Sequence, residues 1–300
     1  MISAETASVK SAAGRPSSGR RRLPLSWVGV VPFLVYVGVF LILPTVIVAV
    51  GAFTVGNGYG ISNFNELTQP FLVRAFLNSV ILSASTALIG AVFGALMAYA
   101  VAIGNPDGIL RRLVTSACGV LAQFGGVTLA FAFIATIAQQ GFVTLFLLQH
   151  GVDIYANGIW LFKLPGLVLV YSYFQIPLMV LVFLPALDGI RPQWREATES
   201  LGGGTWHYWR YVAGPLLLPA FLGASLLLFA NAFSAYATAA ALINQGGIVV
   251  PLQIANAMTS EVGLHSASFA SALALAMVVI VATVMVLYSL LQRRTARWLR

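Results

Sequence analysis

Ala75-Phe-Leu-Asn-Ser-Val-Ile-Leu-Ser-Ala-Ser-Thr-Ala-Leu-Ile-Gly-Ala-Val-Phe-Gly-Ala-Leu-Met-Ala-Tyr-Ala-Val-Ala-Ile103 runs without an Asp, Glu, Lys or Arg. A bilayer core takes about 20 consecutive apolar residues per helix, and this stretch exceeds that length. Lipid offers no partners to open backbone groups, so such a run has to be helical. Five more stretches read the same way: Trp27–Phe53, Leu113–Ala138, Leu164–Leu187, Val212–Ile243 and Phe269–Leu291. Together they explain a composition that is 59% hydrophobic and 8% charged in 300 residues. A soluble domain carries about 25% charged residues, so a water-soluble globule is excluded. The short alternating segments of a membrane barrel are absent. The fold expected is an all-α membrane protein with six transmembrane helices.

An even number of spans puts both termini on one side, together with the second and fourth loops. That side holds Lys10, Arg15, Arg20, Arg21, Arg22, Arg111, Arg112, Arg191, Arg195, Arg210, Arg293, Arg294, Arg297 and Arg300, against Arg74 and Lys163 on the other. Fourteen cations against two, out of 16 in all, make the first side cytoplasmic by the positive-inside rule. The net charge of +8 therefore follows the membrane boundaries, and nucleic acid is not needed to explain it. Arg20-Arg21-Arg22 before an apolar run could open an export signal. The run is too long for a signal h-region of 7–15 residues and ends in no small-x-small site, so an uncleaved anchor is expected. The organisation is a basic disordered tail over residues 1–26, a transmembrane domain over 27–292 and a basic tail over 293–300. Pro32, Pro44, Pro177, Pro185 and the Gly90/Gly94 pair read as tolerated kinks and close packing.

The spans hold no ionisable side chain, which removes the usual means of coupling to a proton gradient. Their polar groups are amides and hydroxyls, notably Gln123, Gln175 and Asn231. No Walker A loop is available, because neither Lys10 nor Lys163 follows the required glycines. His150, His207 and His265 are far apart and lack metal-ligand spacing, and the single Cys118 excludes a disulfide framework. The chain reads as a non-enzyme with no metal and no cofactor. It is either a passive pore or a machine driven by another protein.

The informative segment lies between the fourth and fifth spans: Asp188-Gly-Ile-Arg-Pro-Gln-Trp-Arg-Glu-Ala-Thr-Glu-Ser-Leu-Gly-Gly-Gly-Thr-Trp-His-Tyr-Trp-Arg-Tyr-Val-Ala-Gly-Pro215. Pro192 suits the first turn of a short helix, and Glu196 and Glu199 lie where they favour it. Gly202-Gly203-Gly204 ends it, since glycine disfavours helix by about 1 kcal/mol. Thr205 can cap the next helix, whose Trp206, Tyr208, Trp209 and Tyr211 belong to an aromatic belt. A helix of this kind could also simply anchor its loop at the headgroups.

This segment resembles the EAA loop of permease subunits of type I ABC importers. In that pattern Glu-Ala-Ala is followed by Gly six positions after the Glu, then at fixed distance by a hydrophobic residue and Leu-Pro. Here stand Glu196-Ala197-Thr198, Gly202, Val212 and Pro215, with departures at Thr198 for Ala and at Gly214 for Leu. Asn78-Ser79 at the start of the second span also looks like the family, and the resemblance covers about residues 27–291. It implies that the loop forms a short coupling helix docking in a groove of a cytoplasmic ATPase dimer, with Glu196, Ala197, Thr198, Leu201, Gly202 and Gly203 at the contact and Val212 and Pro215 structural. It further implies a second permease subunit (a heterodimer favoured over a homodimer), an extracytoplasmic substrate-binding protein, and a place in the bacterial inner membrane with both termini cytoplasmic.

Leu201-Gly-Gly-Gly204, Pro215-Leu-Leu-Leu-Pro219 and Phe229-Ala-Asn-Ala-Phe-Ser-Ala-Tyr236 look most like the polyamine branch of these permeases. Sugar-importing relatives usually carry Asp-Gly-Ala where this chain has Leu201-Gly202-Gly203. A polyamine or another small organic cation is therefore ranked first. Ferric iron, thiamine, sulfate, phosphonate and sugar stay open. Gln123, Gln175, Asn231, Phe233 and Tyr236 are the candidates for the path, although the amides could equally hydrogen-bond between helices. A passive channel or uniporter, or a membrane scaffold without ATPase coupling, remains the alternative.

Overall fold

A computed structural model describes residues 26–55, 58–105, 107–156, 158–243, 248–259 and 266–296. The N-terminal tail before Ser26, Glu261, His265 and residues 297–300 lie outside the described residues. The chain divides into two compact units, 1–47 and 48–300. In the first, α1 (Ser26–Val37) passes through a π turn (Gly38–Ile42) into α2 (Leu43–Ala52), which ends in the second unit. Pro44 has no N–H to return to the carbonyl four residues back, so the regular ladder fails there. The hydroxyl of Thr45 donates to the Leu41 carbonyl at 2.7 Å in its place.

The second unit continues with the two-stranded antiparallel hairpin β1 (Thr54–Val55) and β2 (Gly58–Tyr59), then α3 (Ser62–Glu66) and the long α4 (Pro70–Ile103). Next come α5 (Ile109–Gln123), α6 (Val127–Ile137), α7 (Phe142–Gln149) and α8 (Leu164–Asp188). A short α9 (Pro192–Ser200) and α10 (Thr205–Tyr208) lead through a second π turn (Trp209–Ala213) into α11 (Gly214–Ser234). The chain closes with α12 (Ala237–Leu242), α13 (Val250–Thr259) and α14 (Ser266–Ala296), which enters the segment read as C-terminal tail. Among the described residues, six segments have the length and apolarity of a membrane span: Val30–Ala52, Pro70–Ile103, Val127–Gln149, Leu164–Asp188, Thr205–Ser234 and Ala267–Leu290.

Helix α8 is the axis of this unit, with Tyr171, Gln175 and Met179 fully buried. The Gly90/Gly94 pair is what lets α4 approach it. A Cβ at Gly94 would stand 2.5 Å from Met179 Cβ and 2.7 Å from the Ile176 carbonyl oxygen. One at Gly90 would stand 2.7 Å from a Leu228 methyl and 2.9 Å from Gln175 Cβ. Lipid tails are as apolar as leucine, so helices gain by fitting closely rather than by leaving water, and small residues supply the fit. Asn78 and Ser79, at the other end of α4, hold the start of α13. Asn78 Nδ2 donates to the Ile248 carbonyl at 3.2 Å, and the Val250 amide donates to Ser79 Oγ at 2.9 Å.

The third expected span, Leu113–Ala138, is not one helix. Helix α5 stops at Gln123, and Gly126 takes φ 79° and ψ −148°, a region open essentially to glycine alone. The span-length segment is instead α6 with α7, joined through a turn at Gly141, where a Cβ would lie 2.5 Å from the Thr136 carbonyl oxygen. Thr144 Oγ1 and Tyr155 Oη both donate to the Ile137 carbonyl there, at 2.8 and 2.7 Å. Burial pushes the Tyr155 phenol above its ordinary pKa. The fifth expected span, Val212–Ile243, also breaks: α11 ends at Ser234, Ala235 is extended, and α12 starts anew at Ala237. No glycine or proline marks that second break, so only the tertiary partners described below account for it.

Replacing Gly94 with leucine should weaken the α4–α8 contact by about 1 to 3 kcal/mol, the usual penalty of overpacking. Gly119→Ala meets nothing within 4 Å and serves as the neutral control. Thermal unfolding of the two variants in detergent, compared with the parent, reads the difference.

Candidate functional site

Two regions gather the polar and glycine-rich features of the chain. The first is α9. Pro192 occupies its first turn, as expected, and its C-terminus closes in a full Schellman arrangement. The Gly203 amide donates to the Thr198 carbonyl at 2.9 Å, the Gly202 amide to the Glu199 carbonyl at 3.0 Å, and Gly202 sits at φ 78°. Thr205 does not cap the following helix. Gly204 is the N-cap, without a side-chain bond, and Thr205 is already helical. The departure at Thr198 has its counterpart at Gly203, where a Cβ would stand 2.8 Å from Thr198 Cγ2. A threonine therefore fits at this position because no side chain follows at 203.

Trp194, Ala197, Thr198 and Leu201 share one face of α9, and with Tyr211, Val212, Pro215 and Leu216 they line a cleft of about 380 Å³. The motif's distant parts thus meet in space: Ala197, Thr198 and Leu201 from the short helix, Val212 and Pro215 from the next. Trp194 and Leu216 were not singled out from sequence. The spacing 194, 197, 198, 201 carried the signal, since i, i+3, i+4 and i+7 mark one helical face. Glu196 and Gly202 are exposed, and Leu201 is 88% exposed. Such a surface offers carboxylate, methyl and leucine groups to a partner without any unfolding.

The short helix is tied to the bundle at its own end. Arg111 of α5 pairs with Asp188 at the last turn of α8, three residues before α9 begins its N-cap. Tyr99 of α4 packs edge-on against Trp209 at 5.2 Å. The π turn at Trp209–Ala213 precedes Pro215, which has no amide for the ladder. Gly214 is required by the same turn, because a Cβ there would lie 2.4 Å from the Trp209 carbonyl oxygen. The second departure from the motif is therefore a backbone matter.

The second region joins the two helix breaks. The Gly126 amide donates to Thr238 Oγ1 at 2.8 Å, and the Tyr171 hydroxyl donates to the Ala235 carbonyl at 2.7 Å. Gln123 and Phe124 are exposed beside the first break, and Tyr236 is 46% exposed at the second. Of the path candidates, Gln123 and Tyr236 are exposed, each beside one of the two breaks. Gln175 is fully buried, its Nε2 donating to the Leu228 carbonyl at 2.7 Å, which makes it a link between α8 and α11. Phe233 is 1% exposed and stacks on Phe229, a packing position rather than a lining one. Asn231 is half-buried in α11. Thr238 and Gly126, which make the junction, were invisible in sequence because neither carries a pattern by itself.

Residues 128–299 match the family described as the binding-protein-dependent transport system inner membrane component. The sulfate transport system permease protein CysT of Salmonella typhimurium is 26% identical, over 78% of this chain and 81% of that protein. A putative ferric transport system permease, FbpB 1 of Haemophilus influenzae, is 25% identical over 63% of this chain and 30% of its own length. The thiamine transport system permease ThiP of Escherichia coli is 25% identical over 57% of this chain and 30% of its own length. Among solved structures, a chain of a bacterial ABC transporter importing the acidic polysaccharide alginate superimposes with a TM-score of 0.73 at 17% identity, covering 90% of this chain and 95% of that one. None of these relatives is described as a polyamine permease, so the first-ranked polyamine reading has no support from them.

The Thr198–Gly203 pair is testable as a compensation. Gly203→Ala should speed hydrogen exchange of the amides closing α9, and adding Thr198→Ala should return the rate part of the way to the parent. Equal exchange in the single and double variants would show that the two positions are not coupled.

Proposed function

The chain belongs to the family of binding-protein-dependent transport system inner membrane components, the non-catalytic permeases of type I ABC importers whose ATP is hydrolysed by a separate subunit, and from that premise we propose how its two regions serve import. Helix α9 is the handle by which an ATPase moves the permease. The observation that carries this is the cleft in which Ala197, Thr198 and Leu201 meet Val212 and Pro215, with Glu196 exposed beside them. Such a handle serves an importer only if α9 and both termini are cytoplasmic, which the distribution of arginine and lysine supports. The transmembrane domain spans residues 27–292 and forms half of a path shared with a second permease subunit, here assigned to a different chain. A substrate-binding protein delivers from the other side.

The junction of the two breaks is the place where the path is gated. Irregular backbone is tolerated at membrane depth where it is buried in protein or lines a watered cavity. We assign an oxyanion of the sulfate type as the substrate. CysT, matched over most of both chains, supports this, and so does the absence of a carboxylate in the spans except for Asp188 at the end of α8. A cation at depth would lack a counter-charge, whereas an anion finds the positive N-terminal end of α6 beside Gly126. The exposed rings of Phe124 and Tyr236 favour a second reading, an organic cation such as a polyamine or thiamine held on aromatic faces.

Proteoliposomes containing the complete transporter separate these readings. ATP-dependent uptake of labelled sulfate is expected, with no uptake of putrescine; the reverse result would install the cation. Glu196→Lys reverses the charge on the handle and should lower ATP-dependent uptake at least tenfold while membrane insertion is retained. Parent-level uptake with the ATPase still bound would remove Glu196 from the docking surface. Gly202→Pro should be more damaging, because proline is held near φ −65° and the native residue sits at 78°.

A further inference from the structure

We propose that the chain holds one anionic phospholipid at the α9 end of the bundle, its acyl chain between α4, α8 and α11 and its phosphate on Arg195. An apolar cleft of about 500 Å³ is walled there by Val92, Leu96, Phe183, Leu217 and Phe221. It continues into a more polar pocket of about 220 Å³ that contains Arg195, Thr205 and Tyr208. Tyr99, Leu187 and Trp209 line both, so the two cavities share one wall. Along that wall the lining runs from apolar groups, aliphatic and aromatic, to hydroxyls and a guanidinium set among aliphatic side chains. A phospholipid has the same order of tail, glycerol and phosphate, and aromatic residues settle at the depth of its headgroup region.

Two details make this more than a lipid-facing groove. Gly214 lies in the wall of the apolar cleft, at the position where the resembling permeases carry leucine before proline. Its missing side chain is bound up with the π turn, since a Cβ would meet the Trp209 carbonyl oxygen at 2.4 Å. The cleft wall thus carries no side chain at 214, and Trp209, which begins the turn, lines the cleft. Arg195 is also free to turn to a ligand. Its ion pair with Glu199, at 3.0 Å, uses Nε, and both side chains are more than half exposed. An exposed i,i+4 pair of this kind is weak, and Nη1 and Nη2 remain for a phosphate, which guanidinium binds with two parallel bonds.

The assembled transporter, with its ATPase and second permease, provides the test. It is placed in phosphatidylcholine nanodiscs doped with lipid brominated on its acyl chains, carrying either a phosphatidylglycerol or a phosphatidylcholine headgroup. Trp209 fluorescence is isolated as the difference between the parent and Trp209→Phe. Brominated phosphatidylglycerol should quench that signal at a several-fold lower mole fraction than brominated phosphatidylcholine. Arg195→Gln should bring the two lipids to the same curve, and Ala95→Phe, which fills the apolar cleft, should reduce quenching by both. Equal quenching by both headgroups in the parent would mean an unselective lipid surface and overturn the proposal. Absence of quenching by either would mean that a protein partner covers the cleft, which overturns it as well. Should Ala95→Phe fail to assemble, the exposed Arg195 variant decides the question alone.

Discussion

Inside a bilayer every main-chain donor and acceptor has to find its partner within the protein, and each group left open costs several kcal/mol. Most of this chain meets the constraint by being helical. Where two helices stop short, other elements satisfy the open groups: the Gly126 amide donates to Thr238 Oγ1 of α12, and the Ala235 carbonyl accepts from the Tyr171 hydroxyl of α8. Helices α6 and α12 pack directly against each other, and α8 holds the second break through Tyr171.

Helix α8 connects the two functional regions physically. Its 25 residues span about 37 Å at the helical rise, more than the thickness of a hydrocarbon core. Its last turn holds Asp188, paired with Arg111, and leads directly into α9. Its first half carries Tyr171 at the breaks, and its middle carries Gln175 and Met179 against α4 and α11. Contact between α4 and α8 is close enough that no methyl fits at Gly90 or Gly94. Under the proposed coupling, a rigid seam of this kind would carry a push at α9 to the breaks as a displacement of whole helices, since packed cores shift between arrangements rather than deform.

The two departures from the EAA pattern prove to be compensated pairs. Thr198 stands over a glycine that leaves room for its methyl, and Gly214 stands where a π turn leaves no room for any side chain. In the sequence the two positions appear only as departures, at Thr198 for Ala and at Gly214 for Leu. The partner of Thr198 is five positions away, and the partner of Gly214 is a carbonyl oxygen, which no pattern of side chains can display.

Reading the chain alone was enough to establish a helical membrane protein, the short helix at Pro192–Ser200 and its glycine terminus. These are local properties: apolar run length, a proline at the first turn, glycine at a left-handed position. The resemblance to the EAA loop grouped Glu196, Gly202, Val212 and Pro215 as one motif, of which Val212 and Pro215 line one cleft in the fold. The course of the third and fifth spans was decided by tertiary structure. An apolar run looks the same whether it continues as one helix or breaks, and the carbonyl freed at Ala235 is met by Tyr171 of a different helix. The roles of Gln175 and Phe233 were decided the same way. An amide or a ring in a span can face a path or a neighbouring helix with identical spacing; in the fold Gln175 is bonded to the Leu228 carbonyl of α11, and Phe233 is buried against Phe229.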